Sequence, residues 1–399
     1  MAKVAIRKCE SYEMDTVRLA LTQSLSAIGG LEKIRDGSRV VIKANLVSMA
    51  KPEDAVTTHP ALLCALVELL MKKNCTVVIG DSPGGLYNAA FLDRIYAATG
   101  LRSVRELGAI LNHDFGHTEA TFEDARIAKK FEYTTYLDGA DHIINFCKLK
   151  THGMMAMSCA VKNMFGVIPG VFKPEYHYKY PSYEDFADML VDLNEYFKPT
   201  LCIVDAVVGM EGNGPTMGHA RQIGAVLAST DPYSLDVCCA HIIGLDSRNV
   251  PTIVASSKRG LTPMEISEIE IDGDLESAVV PDFDILPTKA SLQFGSSGKK
   301  YFGILSILAD KCLRSRPRLS KSECIGCGKC ASICPAHAIT MRKSSTTNKK
   351  GVIPSIKKNA CISCFCCQEF CPVGALKVYR PVIARVMNRT KRHNSDKKR

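Results

Sequence analysis

Two stretches near the C-terminus repeat one cysteine spacing: Cys324-Ile-Gly-Cys327-Gly-Lys-Cys330-Ala-Ser-Ile-Cys334-Pro335 and Cys361-Ile-Ser-Cys364-Phe-Cys-Cys367-Gln-Glu-Phe-Cys371-Pro372. Three thiolates set two residues apart can wrap one face of a 4Fe–4S cube. A fourth, three residues on and followed by proline, points away toward a second cube. Structural zinc sites instead pair Cys-x2-Cys units across a longer gap, so two complete copies in register favour iron–sulfur chemistry. Both copies continue alike, as Cys-Pro-Ala-His-Ala-Ile and Cys-Pro-Val-Gly-Ala-Leu. The region therefore reads as a duplicated half with a pseudo-twofold.

Over roughly residues 320–380 this pattern resembles a bacterial-type ferredoxin with two 4Fe–4S clusters. The crossed spacing then assigns Cys324, Cys327, Cys330 and Cys371 to one cluster. It assigns Cys361, Cys364, Cys367 and Cys334 to the other. Cys366 has no place in that scheme and reads as a spare residue beside a cluster. Such a module implies electron transfer and a redox partner protein that gives or takes the electrons.

At 399 residues the chain exceeds one typical domain, and its 46% apolar content can build a large core. No run reaches the ~18 apolar residues that span a bilayer; the longest candidate is Tyr301–Ala309. The N-terminus lacks the apolar core and cleavage site of a signal peptide, so the expected location is cytoplasmic. Eighteen cysteines without an export signal then mean reduced thiols and metal ligation rather than disulfides. Oxygen-labile clusters point to an anaerobic or low-oxygen setting.

Charge is divided unevenly. Residues 311–399 carry 21 Lys and Arg against three acids, while the preceding 310 residues carry 30 basic and 38 acidic side chains. An acidic redox partner, or the acidic first domain, would complement that basic surface. The expected organisation is an α/β domain over 1–310, a linker over 311–319, the cluster domain over 320–380 and a basic tail over 381–399. A polar insertion, Ser344–Gly351, separates the two cysteine loops as a hairpin tip.

Before residue 311, short β-branched runs alternate with amphipathic stretches. This predicts a mostly parallel sheet covered by helices on both faces, followed by a small α+β ferredoxin-like domain. Strands are expected at 39–46, 75–80, 142–147, 201–208, 223–229 and 267–271, with helices at 59–73, 89–99, 185–197 and 233–243. In open α/β sheets ligands bind beyond the carboxyl ends of strands, and polar motifs stand there. Lys43 and Asn45 share one face at period two, as do Lys148, Lys150 and His152. The turn Gly80–Gly85, then Lys162, Asn163 and His177, follow. Asp205 and Glu211 flank a Gly-rich loop, and Asp231 reads as a helix N-cap. Cys147, Cys159, Cys202, Cys238 and Cys239 lie in apolar runs and read as buried small hydrophobes.

Ile42-Lys43-Ala-Asn45, Thr58-His59-Pro60, Lys148-Leu-Lys150-Thr-His152, Lys162-Asn163, Asp205 through Gly218 and Asp231-Pro-Tyr-Ser-Leu-Asp236 together resemble the family known as domain of unknown function 362. The resemblance covers about residues 3–310, with Ala44 where the family more usually has proline. It implies the two-part architecture and supplies no reaction.

The first functional expectation is a redox enzyme. Lys43, Asn45, Lys148, Lys150, Lys162 and Asn163 would hold an anionic small molecule. His152 or His177 would supply a proton, and Asp205 or Glu211 would orient it or bind a metal. The alternative is a ferredoxin-type carrier whose large domain docks a partner enzyme. Nucleic-acid binding is disfavoured, because the chain has no Trp and its basic segment offers three rings for stacking, Phe365, Phe370 and Tyr379. Nothing in the sequence names a flavin or a further metal.

Overall fold

The computed structural model of the protein describes residues 3–286, 315–344 and 350–379. In chain order its first strands are β1 (Val4–Lys8), β2 (Arg39–Lys43), β3 (Thr76–Gly80), β4 (Ile110–Leu111), β5 (His117–Thr121) and β6 (Lys130–Thr134). Then come β7 (His142–His152), β8 (Ala156–Ser158), β9 (Leu201–Glu211), β10 (His219–Ser229) and β11 (Ile271–Asp272). β5 and β6 form a separate hairpin. The other nine make one sheet in the order β11-β1-β10-β9-β7-β2-β3-β4, with β8 folded back on β7. β4, β3, β2, β7 and β9 run parallel; β10 is antiparallel to both of its neighbours.

The helices are α1 (Met14–Ala27), α2 (Pro60–Met71), α3 (Ala89–Ala98), α4 (Ala160–Asn163), α5 (Lys173–Lys179), α6 (Tyr183–Phe197), α7 (Pro232–Ile242) and α8 (Pro251–Lys258). Period two decides which strand residues meet which layer. Val40 and Ile42 pack with α1, α2 and α3 on one face, and Val41 packs toward α6 on the other. Helix starts follow capping chemistry. Asp231 accepts from Tyr233 N and Ser234 N at 3.0 Å each ahead of Pro232, and Ser182 accepts from Asp185 N at 2.9 Å.

Several expectations shift. Residues 267–271 are not a strand: a single 3-10 turn, Ile266–Glu268, precedes the two-residue β11. β1, α1, the β5–β6 hairpin and α8 had no counterpart in the sequence reading. His177 stands on helix α5.

The small domain contains β12 (Arg316–Leu319), α9 (Lys329–Ser332), β13 (Ile339–Lys343), β14 (Val352–Ile356), α10 (Cys366–Glu369) and β15 (Leu376–Tyr379). β12 pairs with β15 and β13 with β14, both antiparallel. Residues 316–319, expected in the linker, thus belong to this domain's sheet. The repeat extends to the backbone. Left-handed residues recur at matching places, Gly326 with Ser363, Gly328 with Phe365 and His337 with Gly374. Residues 311–314 of the expected linker, 345–349 of the expected hairpin tip and the expected 381–399 tail lie outside the described residues, as does the apolar run Tyr301–Ala309.

The small domain docks on the large one through the loop after β9. Asn213 anchors it, its side-chain oxygen accepting from Val378 N at 3.1 Å and its carbonyl from Gln368 Nε2 at 3.0 Å. Phe370 lies on Gly84 and Phe365 on Gly153, positions where a Cβ would run into the rings.

Candidate functional site

Each cysteine loop turns through left-handed residues into a one-turn helix, so its thiols face inward. One small cavity is lined by Cys324, Cys327, Cys330 and Cys371, with Ile325 and Val373 at its edge. A second is lined by Cys334, Cys361, Cys364 and Cys367. The fourth thiol of each repeat therefore reaches across to the other's loop. Cys334 Sγ accepts from Ala338 N at 3.3 Å and Cys371 Sγ from Ala375 N at 3.2 Å, the same bond in both halves. Among the described residues no three or more His, Cys, Asp or Glu converge on a single ion position. Four thiols line each space, which is the donor set that a 4Fe–4S cube takes. Cys366 faces neither small cavity.

Cys366 instead lines a third cavity, about 290 Å3, between the two domains. Its large-domain wall lies beyond the carboxyl ends of β2, β3 and β7, where parallel strands leave room for a ligand. Lys43, the last residue of β2, is fully buried and lies 2.7 Å from Asp81, just past β3. Lys43 Nζ also donates to Asn163 Oδ1 at 3.1 Å, which accepts from Asn45 Nδ2 at 2.9 Å. Lys150 Nζ donates to Asn45 Oδ1 and to Val56 O, both at 2.7 Å. Asn163 Nδ2 closes the network on Asn145 Oδ1 at 2.7 Å. Gly166 is required here, because a Cβ would strike Asp81 and the end of Lys43. Lys162 on α4 and Lys173 on α5 complete the basic wall. Lys173 Nζ donates to Ser82 O.

The small domain supplies the opposite wall, with Lys329, Cys366, Glu369, Phe370, Cys371 and Pro372. Cys371 and Pro372 also line the first thiol cavity, so the two spaces share a wall.

Burial sets the protonation states. It lowers Lys150 and Lys173 to about 7 each, and it lowers Lys43 and Lys162 as well, against the pull of nearby carboxylates. Burial takes His177 to about 3 and His152 to about 4, so both imidazoles are neutral. His152 Nδ1 accepts from Met154 N and Met155 N at 3.0 and 3.1 Å, which assigns its proton to Nε2. That atom lies 3.0 Å from Glu369 Oε1, though neither is aligned for a hydrogen bond. His177 stacks on Phe186 with ring centres 4.3 Å apart and lines the cavity.

Of the expected site residues, the structure brings Lys43, Asn45, Lys150, Lys162, Asn163 and His177 together at this cavity. His152 stands behind its wall, reaching Glu369. Lys148 does not share the wall with Lys150. The β7–β9 register shifts between the two, and Lys148 Nζ turns to Asp205 Oδ2 at 2.9 Å and Tyr12 OH at 2.7 Å. Asp205 is fully buried and also accepts from Tyr12 OH and from His59 N. Every lone pair it turns inward is used, so it holds the fold together. Glu211 accepts from Asp284 N at 3.0 Å and faces away from the cavity. Asp81, Asn145, Lys173, Glu369 and Phe370 were missed. Asp81 was in view within its Gly-rich turn. Glu369 and Phe370 sit among cluster cysteines, where nothing local hints at a second domain.

A family model described as a 4Fe-4S dicluster domain matches residues 323–375. The small domain is thus of ferredoxin type, and the chain is an iron–sulfur electron-transfer protein. A thylakoid-associated protein of Synechocystis sp. is 31% identical over 268 residues, covering 65% of this chain and 80% of its own length. Among solved structures, the lactate racemase apoprotein of Thermoanaerobacterium thermosaccharolyticum aligns with a TM-score of 0.38 at 13% identity, over 59% of this chain and 55% of that one. A protein of Thermotoga maritima aligns at 0.33 and 9% identity, over 54% and 56% of the two chains. No helix among the described residues is long and apolar enough to cross a membrane. With residues 40–241 matched by its model, the chain belongs to the family described as Domain of unknown function (DUF362).

Proposed function

We propose that the protein is a reductase in which an anionic small molecule, bound between the domains, receives electrons from two 4Fe–4S clusters. Cys324, Cys327, Cys330 and Cys371 would hold one cluster, and Cys361, Cys364, Cys367 and Cys334 the other. When bound, the clusters supply electrons one at a time. The observation that carries the reading is the shared wall: Cys371 and Pro372 line both a thiol cavity and the lysine-lined interdomain cavity.

The chain's own residues divide the remaining work. Lys43, Asn45 and Asn163 form a rigid floor, while Lys162 and Lys173 attract the anion. Phe370 and Pro372 keep water from the wall beside Cys371. Lys150 and Lys173, lowered to about 7, carry an exchangeable proton near neutrality. They suit a general acid better than His177, whose neutral ring can pass a proton on but seldom holds an extra one. An electron donor would dock over the first thiol cavity, where Cys327 is exposed beside Ile325 and Val373, 47% and 40% exposed.

The test is anaerobic. Protein reduced with dithionite is mixed with a panel of small organic anions, and recovery of the cluster absorbance is followed. A substrate should reoxidise the wild type and react at least tenfold more slowly with Lys162→Met. Reoxidation that ignores the cavity substitutions sinks the reading. It would favour the carrier alternative, whose rate with an acidic partner protein should fall steeply with salt.

A further inference from the structure

The interdomain cavity holds more positive than negative charge. Lys43, Lys150, Lys162 and Lys173 reach it from the large domain, and among the described residues two carboxylates, Asp81 and Glu369, line it. Lys43 and Asp81 neutralise one another. Lys150 is held by neutral oxygens. Lys162 and Lys173 lie over the same ring, 5.6 and 5.5 Å from the centre of Phe165. Among the described residues no carboxylate lies within ion-pair distance of either. With Lys150, Lys162 and Lys173 protonated and Glu369 set against one of them, two ammonium groups are unmatched. His177 adds an unfilled polar position: it is 3% exposed, lines the cavity and has Nδ1 without a hydrogen-bond partner. Lys162 and Lys173 are half-buried; charge drawn partly away from water without a counter-charge is costly, and a ligand that brings two negative charges removes that cost. Beyond Glu369, the charged side chain that the small domain puts on this wall among the described residues is a cation, Lys329. The small domain sets ten Lys and Arg against two Glu among its described residues.

Part of the remaining lining is apolar. Phe91, Phe370, Met49 and Met217 face the lysines. The Phe91 and Phe370 rings converge on Gly85, 4.0 and 3.9 Å from where its Cβ would stand. A charged floor opposite aromatic side chains selects a molecule with one strongly anionic end and one flat, apolar end.

We infer that the cavity binds an organic dianion, its doubly charged group on Lys162 and Lys173 and its planar apolar body against Phe370 and Phe91. The inference rests on the interdomain cavity being the ligand site, as proposed above, but not on electron transfer to the ligand. A phosphate monoester and an aromatic dicarboxylate both supply this chemistry.

Calorimetry on the full-length, anaerobically purified, oxidised protein separates these cases, with phenyl phosphate, phthalate, benzoate and inorganic phosphate as probes. Phenyl phosphate or phthalate should bind at least tenfold more tightly than benzoate, which keeps the ring and loses one charge. The better of the two also identifies the headgroup. Inorganic phosphate, lacking the ring, should bind at least tenfold more weakly than phenyl phosphate. Lys162→Met should abolish the preference for dianions, and Phe370→Ala should weaken the aromatic probes while leaving inorganic phosphate unchanged. Iron content and the visible spectrum confirm that each variant is intact. Equal binding of benzoate and phthalate with no gain for phenyl phosphate, or no binding of either dianion to cluster-replete protein, overturns the inference. Neither result bears on whether reduced clusters pass electrons onward.

Discussion

The two buried lysine–carboxylate pairs look alike in sequence and differ in consequence. Lys148 and Asp205 are fully buried, 2.9 Å apart, with Tyr12 bonded to both and its ring stacked on His59 at 3.5 Å. Removing one partner strands the other in an apolar setting. Asp205→Ala should therefore destabilise the large domain by about 3–5 kcal/mol, read from a urea midpoint by circular dichroism, with dianion affinity in the surviving folded protein within twofold of wild type. Gly166→Ala makes the opposite kind of change. Its methyl group would push on Lys43 and Asp81, so ligand affinity should fall about tenfold, roughly 1.4 kcal/mol, with cluster content unchanged. A fold lost in Gly166→Ala, or a cavity emptied in Asp205→Ala, would reverse these assignments.

At the level of elements, the crossing of the cysteine loops and the burial of the strand-end lysines make separate claims. If the loops cross, Cys324→Ser with Cys371→Ser removes two ligands of one cluster and leaves about four irons per chain. Cys324→Ser with Cys334→Ser, both in the first repeat, should lose both clusters. Iron and sulfide analysis distinguishes the two pairings. The lysines carry a pH signature. Lys150 falls from an ordinary 10.5 to about 7 because of burial, and Lys173 likewise. Between about 7 and 10.5 the unfolded chain holds protons that the folded chain has released, so these groups make stability rise with pH across that window. Dianion binding has the opposite slope, because it recruits the protonated lysines. Phthalate affinity should fall as pH climbs above about 7, by up to tenfold per unit for each lysine that must take up a proton. Lys43, Asp81, Lys162, Lys329, Glu369 and His177 face the same space. A flat profile from pH 6 to 9 would show that Lys150 and Lys173 stay charged.

For the whole molecule, the site exists only while the domains are docked. Phe370 rests on Gly84, and Thr216 Oγ1 donates to Glu369 O at 3.2 Å across the boundary. Gly84→Leu drives a side chain into the Phe370 ring and should open the cavity. The expected result is at least tenfold weaker binding of phenyl phosphate and slower reoxidation of reduced protein by any substrate, with both clusters retained. Unchanged binding in that variant would place the ligand wholly within the large domain.

The sequence by itself determined the cluster chemistry, because thiol spacing and a following proline constrain ligand geometry within a dozen residues. It also determined the mostly parallel sheet, because β-branched runs buried on both faces are local patterns, and the N-cap at Asp231. Lys43, Asn45, Lys150, Lys162 and Asn163 were legible as polar groups at strand ends. Only the tertiary structure decided that Lys148 leaves that group, since the β7–β9 pairing sets it directly beside Asp205 before the register between the two strands shifts. Only the tertiary structure supplied Lys173, Glu369 and Phe370. These come from separate stretches of chain that meet at a domain boundary, and no periodicity within a strand or helix records which surface another domain will cover.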